Sequence, residues 1–584
     1  KRNLLWFIVA VFLVVFLFLV FYSNFEILTG KAIYEEKFEC LTGFIEIIVE
    51  DDPPSVEYFF NSGEKKYKLS INSDVENIVV QMISGVEVRV CGTTLKDEIN
   101  VKDLRFVRGW EKDRDFWTED VTGEQKIAFI LFNFQDNPSQ PVSISQAEAL
   151  MEQVNQYYQE ISYGKTWFNV SVFGYFTLST SYSPCNNNNW LKRIIENWGV
   201  NPLPYPDYII NWAEYDRIIL ASAVDACSWT GKATVGKGVY NSINGPIRVS
   251  VAWLDGPPGI TMTTTSHELG HNHGILHAGD LECGEVPYRI ENCQSIEYGD
   301  AYSIMGRSYE ATSLHMDGVH KEKIGWFDEN DVLYVNQDNL GIHFLSPIQV
   351  NNPYPKIIKL SRVGRFENPS YYYLEYRRPV GIDQGVNVSL FDGIFFRINE
   401  RFSGSGGGAD VHLLDMSPHT NDIVDQVTDS LDPILKIGQS YGLYLGNYVI
   451  YPLQFNDLFA KILISNISCY DNDATNEFQN GRNYFYGGTV FDGPNVKSDR
   501  CLGESIVEGP YENNSVVSLN FDLYGVAEPR TSRDFLKEYY CENGVWREEA
   551  INCKSFGSRY AVSYTHLRAH ETPEHLVCRL LLEK

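Results

Sequence analysis

Hydrophobic and polar positions divide this chain into segments of different kinds. Leu4–Tyr22 is nineteen residues without a charge, preceded by Lys1 and Arg2. That length crosses a bilayer core as one helix, and the flanking positive charge keeps the N-terminus inside. A cleaved signal peptide has a shorter apolar run and a small-residue cleavage site, whereas Ser23-Asn24-Phe25-Glu26 follows here. Residues 1–24 are therefore expected to be a transmembrane signal-anchor, with a signal peptide as the alternative.

Beyond it, FIEIIVE, KYKLSI, NIVVQMI and VEVRVCG alternate or run apolar between turn residues, which predicts an N-terminal β domain over 31–104. A mixed region follows over 125–331. KIAFILFNF, RIILASAV and IRVSVAWL are buried-type strands. Ser145 and Glu148 read as a capping box, with Ala147, Leu150, Met151, Val154, Tyr158 and Ile161 on one helical face. A second helix is expected from about Thr263 to Gly274. Residues 332–464 return to strand patterns (YYYLEY, GIFFRI, Tyr448–Tyr451). Gly404–Gly408 is a loop and not a phosphate cradle, since no Lys-Ser/Thr follows it. Residues 465–554 form a cysteine-containing β module.

Charge and cysteines narrow the compartment and the partners. A formal net charge of -28 argues against nucleic acid as a partner. Eleven cysteines leave one unpaired. The segment 562–584 is rich in Arg and His and reads as an adapter-derived artefact tail, foreign to the fold. Setting it aside removes Cys578 and leaves an even set, as suits an oxidising exterior. Sequence neighbours suggest Cys40–Cys91, Cys185–Cys227, Cys283–Cys293, Cys469–Cys501 and Cys541–Cys553, although connectivity does not follow from sequence alone.

The chemistry sits in His267-Glu268-Leu269-Gly270-His271-Asn272-His273-Gly274-Ile275-Leu276-His277, an H-E-x-x-H-x-x-G-x-x-H pattern. Residues four apart share a helical face, so His267 and His271 reach one metal ion. Gly274 can take the left-handed conformation that ends the helix and returns His277 as third ligand. Neutral imidazoles suit Zn2+, and three protein ligands leave a position open for catalysis. Glu268 then stands beside the metal as general base. His273 lies on another face and reads as a solvent-facing or supporting histidine.

This motif resembles the metzincin clan of zinc peptidases. Tyr302-Ser303-Ile304-Met305-Gly306 is similar to that clan's methionine turn, with Met305 beneath the zinc histidines. In some metzincins a Tyr two residues after this Met also binds the metal, but here that residue is Arg307. IAFILFNFQDNPSQPVSISQAE, SYGKTW, HELGHNHGILHA, YGDAYSIMG, HKEKIGWF, YYYLEYRRP, VHLLDMSP and ILKIGQSY resemble the gametolysin-like family over roughly 125–464. The resemblance implies a zinc endopeptidase acting on extracellular or cell-wall glycoproteins, with a β-sandwich after the catalytic domain. The expected fold class is α+β: a metzincin-like catalytic domain of mixed sheet plus zinc helix, flanked by β-rich domains, with one N-terminal transmembrane helix. The expected location is the extracellular membrane face, or the exterior if the N-terminal helix is cleaved.

Other signals carry two readings each. Cys91, in Arg89-Val90-Cys91-Gly92, is either a latency cysteine for the zinc or a disulfide partner of Cys40. Asp471-Asn472-Asp473 offers oxygen ligands to Ca2+ and reads equally as an acidic turn. The rival to the peptidase is a surface adhesin with a structural zinc. Such sites are usually closed by four protein ligands, often including Cys.

Overall fold

The computed structural model describes, with short gaps, residues 37–107, 121–197, 210–307, 314–362, 370–400, 409–417 and 433–466, and the backbone of six strands between 470 and 552. Among the described residues strands outweigh helices, 48% against 19%. The expectation of an α+β fold with a transmembrane helix is thereby corrected. Among the described residues no helix is long and apolar enough to cross a membrane. The longest, α1 (Ile144–Ile161), has the length but carries Gln, Glu and Asn along one face. Residues 1–24 and 562–584 lie outside the described residues.

The chain divides into two compact units. The first comprises residues up to Glu46, Glu57–Met82 and Val86–Gly109. Its strands belong to β1 (Lys37–Asp51), β2 (Pro54–Ser62), β3 (Lys65–Ser70), β4 (Glu87–Leu95) and β5 (Glu98–Phe106). β1 pairs antiparallel with β4, opposing Cys40 to Cys91, and these two form a disulfide. Ile78 and Val79 lie in a helical turn and not in the strand expected there.

The second unit takes Ile47–Val56, Ile83–Gly85 and the rest of the chain. Its first sheet is built from β6 (Gly123–Phe134), β7 (Thr166–Leu178), β8 (Arg217–Ser222), β9 (Gly231–Thr234), β10 (Gly238–Ser242) and β11 (Gly245–Leu254). The order is β9-β11-β8-β6-β7, with β10 on β11. β11, β8, β6 and β7 run parallel, while β9 is antiparallel to β11. β6 and β8 are apolar almost throughout because both faces of these strands are covered. Helix α1 crosses between β6 and β7. Its cap is Ser143 with Gln146, in place of the expected Ser145 and Glu148. It buries Ala147, Met151, Val154, Tyr157, Tyr158 and Ile161, the 3.6-residue stripe of an amphipathic helix. These residues join Ile127, Phe129, Leu131, Leu269, Met305 and Trp326 in one core. Each Val, Leu, Ile, Phe or Met among them contributes about 1.5–3 kcal/mol by its burial. Among the described residues the other α-helices are α2 (Asn187–Asn197), α3 (Gly256–Gly259), α4 (Met262–Asn272) and α5 (Gly318–Ile324).

A second sheet has the order β13-β12-β19-β18-β17-β16-β14, with β20 on β18. It contains β12 (His277–Glu282), β13 (Gln294–Ile296), β14 (Val332–Val335), β16 (Ile357–Arg362), β17 (Ser370–Tyr376), β18 (Ile394–Ile398), β19 (Ala409–Leu414) and β20 (Ile434–Leu435). β12 runs parallel to β19. Strands from before residue 331 and after it therefore share one sheet. β15 (Gly341–Leu345), β21 (Tyr441–Leu443), β22 (Tyr448–Phe455) and β23 (Ala460–Asn466) make a smaller antiparallel sheet. Its Leu345, Ile450 and Ile462 share a core with Ile358, Leu374 and Phe396 of the larger one. Gly404–Gly408 lies outside the described residues.

Two further disulfides, Cys185–Cys227 and Cys283–Cys293, lie in this unit. Three disulfides place the chain in an oxidising environment. Cys469 and Cys553 lie outside the described residues, so the pairs Cys469–Cys501 and Cys541–Cys553 do as well. The same holds for Asn472 and Asp473 of the expected calcium turn.

Candidate metal centre

The His267–His277 segment folds as its sequence requires. Thr261 caps α4, its hydroxyl accepting from the Thr264 backbone amide. His267 and His271 sit one turn apart on the same face, with ring centroids separated by 4.9 Å. The helix ends at Asn272, and Gly274 follows at φ +88°, a conformation open to a residue without Cβ. The chain then enters β12, whose first residue is His277. Its ring lies 4.8 Å from that of His271 and 5.4 Å from that of His267.

Buried anchors fix this helix. Arg217 donates to the Asn272 carbonyl at 2.7 Å, and the Asn272 side chain donates to Thr234 and Val251 carbonyls at 3.0 Å. Met305 is fully buried beneath α4, and a Cβ added at Gly270 would meet its sulfur at 2.3 Å. Small Gly270 is thus what lets the methionine turn approach. The turn is stitched by Ala278 N to Met305 O at 2.8 Å and Gly306 N to Ser303 O at 2.9 Å.

Each histidine is oriented through Nδ1. His267 faces the Ile304 carbonyl at 2.7 Å, His271 the Ile275 carbonyl at 2.9 Å and His277 the Glu297 carboxylate at 2.6 Å. An acceptor at Nδ1 puts the proton there and leaves Nε2 as the free ligand atom. The Nε2 atoms of His267 and His271 are buried with no hydrogen-bond partner, as are both carboxylate oxygens of Glu268. Orphaned buried nitrogens are costly unless something else satisfies them.

Asp51, the last residue of β1, meets these three histidines. Its Oδ1 lies 3.6, 3.8 and 3.4 Å from the Nε2 atoms of His267, His271 and His277. All four candidate ligand atoms fall within 4.8 Å of one another. Ligands held at ~2.0–2.1 Å around a tetrahedral ion are ~3.3–3.4 Å apart. The Asp51 separations are close to that edge, and only the one to His277, at 3.4 Å, is short enough for a long hydrogen bond. The cluster therefore fits a metal ion, and Asp51, His267, His271 and His277 could hold one. Glu268 is fully buried, and a Cβ at Gly231 of β9 would meet its Oε1 at 1.9 Å.

The electrostatics follow from burial. Desolvation lowers His271 to about 4, so its ring is neutral and able to ligate. Burial pulls His277 down too, but the hydrogen bonds that Asp51 and Glu297 accept from its ring outweigh it and raise it. Burial and then the neighbouring Asp51 charge push Glu268 well above the usual carboxylate range.

Of the two readings of His273, solvent-facing or supporting, the solvent-facing one is excluded. The side chain is buried, stacked on Tyr158 with ring centroids 5.1 Å apart, and hydrogen-bonded to the Leu269 carbonyl at 2.5 Å. Its face of α4 is the one that α1 covers. Cys91 is engaged by Cys40 and is no latency thiolate. Sequence reasoning missed Asp51 and Glu297, which lie in no motif, and read no role for Tyr298, the first residue of YGDAYSIMG. Glu50-Asp51-Asp52 gave only an acidic signal at a strand end.

Replacing Glu297 by Gln is expected to weaken metal affinity ~10–100-fold, the usual effect of losing a carboxylate behind a ligating histidine. Competition with a chromophoric chelator reads this directly, and unchanged affinity would remove Glu297 from the site. No protein-family model matches the chain, and no curated protein matches it either.

Proposed function

We propose that the chain is a secreted zinc endopeptidase of the kind that the gametolysin-like metzincins exemplify. The observation that carries this reading is the convergence of three histidine Nε2 atoms, two of them orphaned, beside the unpartnered buried carboxylate of Glu268. His267, His271 and His277 would hold the ion. Zinc, when bound, acts as a Lewis acid on the scissile carbonyl and lowers the pKa of water to about 7. The three histidines are fixed through Nδ1. Glu268 accepts a proton from the attacking water and delivers it to the leaving amine. Substrates are extracellular or cell-wall proteins, as the family resemblance implies.

One observation favours a second reading. With Asp51 the site has four protein ligands, the closed form of a structural zinc. A surface adhesin would suit such a site. That reading leaves Glu268 buried and partnerless with no task, a costly arrangement to retain.

His267→Ala separates a metal-dependent enzyme from a metal-independent one. After dialysis against zinc the wild type is expected to retain the ion and the variant to lose it, because a ligand is gone. Casein hydrolysis should vanish with it. A variant that cleaves casein without metal would remove the zinc from the reaction.

A further inference from the structure

We propose that Asp225 and Asp255 form a second cation site, for a calcium ion, at the carboxyl ends of β8 and β11. Neither residue takes part in the histidine cluster or in the proposed hydrolysis.

Neighbouring parallel strands bring the two carboxylates together. β11 pairs with β8 as far as Leu254 opposite Ala221. Asp255 is the next residue after β11, and Asp225 lies in the loop that follows β8. Loops at the carboxyl ends of parallel strands are where open α/β sheets place their ligands. The approach of the two loops is close. A Cβ added at Gly256, which has φ +62°, would meet the Asp225 amide nitrogen at 2.8 Å and its Cα at 2.9 Å. Glycine beside Asp255 is thus what lets the Asp225 loop reach it.

The two oxygens of the Asp255 carboxylate have different surroundings. Oδ2 accepts from the Ala226 and Cys227 amides, each at 2.7 Å. Those donors favour the charged carboxylate and fold the loop around it. Cys227 is itself fixed by its disulfide to Cys185. Oδ1 is buried without a hydrogen-bond partner, in a residue that is 1% exposed. The side chain does not cap α3, which follows directly. Asp225 brings a second carboxylate within hydrogen-bonding reach of the first, and this residue is exposed to solvent. Among the described residues no lysine, arginine or histidine pairs with either carboxylate.

A buried, orphaned carboxylate oxygen beside a like charge is costly unless a cation or a proton lies between the two groups. Burial lifts the Asp255 carboxyl, the Cys227 and Ala226 amides pull it down, and with Asp225 beside it the group titrates at about 6. Asp255 is thus ionised at neutral pH, which favours the cation over the proton. All donors on offer are hard oxygens, the set that calcium takes. Its shell of about 6–8 oxygens is filled by carboxylates, main-chain carbonyls and water. Such an ion would tie the loop after β8 to the segment that leads into α4, the helix of His267 and His271.

The test titrates Ca2+ into the full, zinc-loaded chain at neutral pH. Equilibrium dialysis reads the bound calcium, and hydrogen–deuterium exchange reads the Ala226 and Cys227 amides that Asp255 holds. Asp255→Asn and Asp225→Asn keep side-chain size. Asp225 is exposed, so its variant decides alone if Asp255→Asn does not fold. The wild type is expected to bind one calcium more per chain than the variants, with a Kd of ~10⁻⁴–10⁻³ M as in extracellular calcium modules. At ~100 times that Kd, calcium should slow exchange of the two amides ~100-fold in the wild type and leave it unchanged in Asp225→Asn. If wild type and variants bind calcium equally, the ion sits elsewhere and the site is refuted. If the wild type binds none and exchange of the two amides responds only to pH, the carboxylates share a proton only, and the site is refuted as well. Neither result depends on casein hydrolysis.

Discussion

Glu268→Gln is expected to lower casein hydrolysis by ~100–10,000-fold, the range that a positioned general base contributes. The reference is the more active of the intact chain and Asp51→Ala, which lacks the fourth candidate ligand. The retained metal is expected to be the same before and after the change. Glu268 lies between His267 and His271 on α4, and its carboxylate oxygens have no hydrogen-bond partner that would tie it to the helix. Gln preserves its volume and can still hold a water, but it takes no proton at neutral pH. Loss of metal together with activity would make Glu268 a ligand. Full activity in the variant would assign the proton to another group.

Asp317→Ala should have the largest effect on stability, on the order of 3–5 kcal/mol, because it strands a buried charge. Asp317 caps α5 through the His320 amide at 3.0 Å and contacts the His320 ring at 2.7 Å. It also accepts from Ser303 Oγ at 2.7 Å, within the methionine turn whose Ile304 carbonyl orients His267. Asp317 and His320 are both fully buried. Thermal unfolding of the variant would read the loss, and a melting temperature within a degree or two of wild type would contradict it.

The same pair sets a pH dependence. Burial works against a charged His320, but Asp317, and after it Asp410, raise its pKa from 6.5 to about 9. Lys323 pairs with the same Asp410 at 2.5 Å. A raised histidine contributes stability that is complete below its unfolded pKa and is lost as pH rises through the folded one. The melting temperature should therefore fall between pH 6.5 and about 9, and His320→Gln should flatten that decline. A flat wild-type profile over that range would exclude the pair as its source.

How legible these features were depended on whether the sequence holds both partners close together. The helical spacing of His267 and His271, and the glycine that returns His277, are local, and the structure brings those three side chains to one point. Met305 and Gly270 also meet, because the turn and the helix belong to neighbouring motifs. Asp51 was out of reach, since a strand end far upstream carries no spacing rule relative to α4. His273 was placed on its own face of the helix correctly, but periodicity does not say that Tyr158 of α1 covers that face. At α1 two overlapping signals competed, Ser143 with Gln146 and Ser145 with Glu148, and the chain caps at the earlier one. Ile78 and Val79 show the limit of apolar runs, which suit a helical turn as well as a strand. The pairing of β12 with β19 joins segments over a hundred residues apart and leaves no local trace.

The most direct test of the central claim is sequencing of new N-termini in casein after incubation with the zinc-loaded protein, intact and as Asp51→Ala. Internal peptide-bond cleavage that 1,10-phenanthroline abolishes is the expected result. If both forms hold stoichiometric zinc and neither produces a new N-terminus, the chain is not a peptidase.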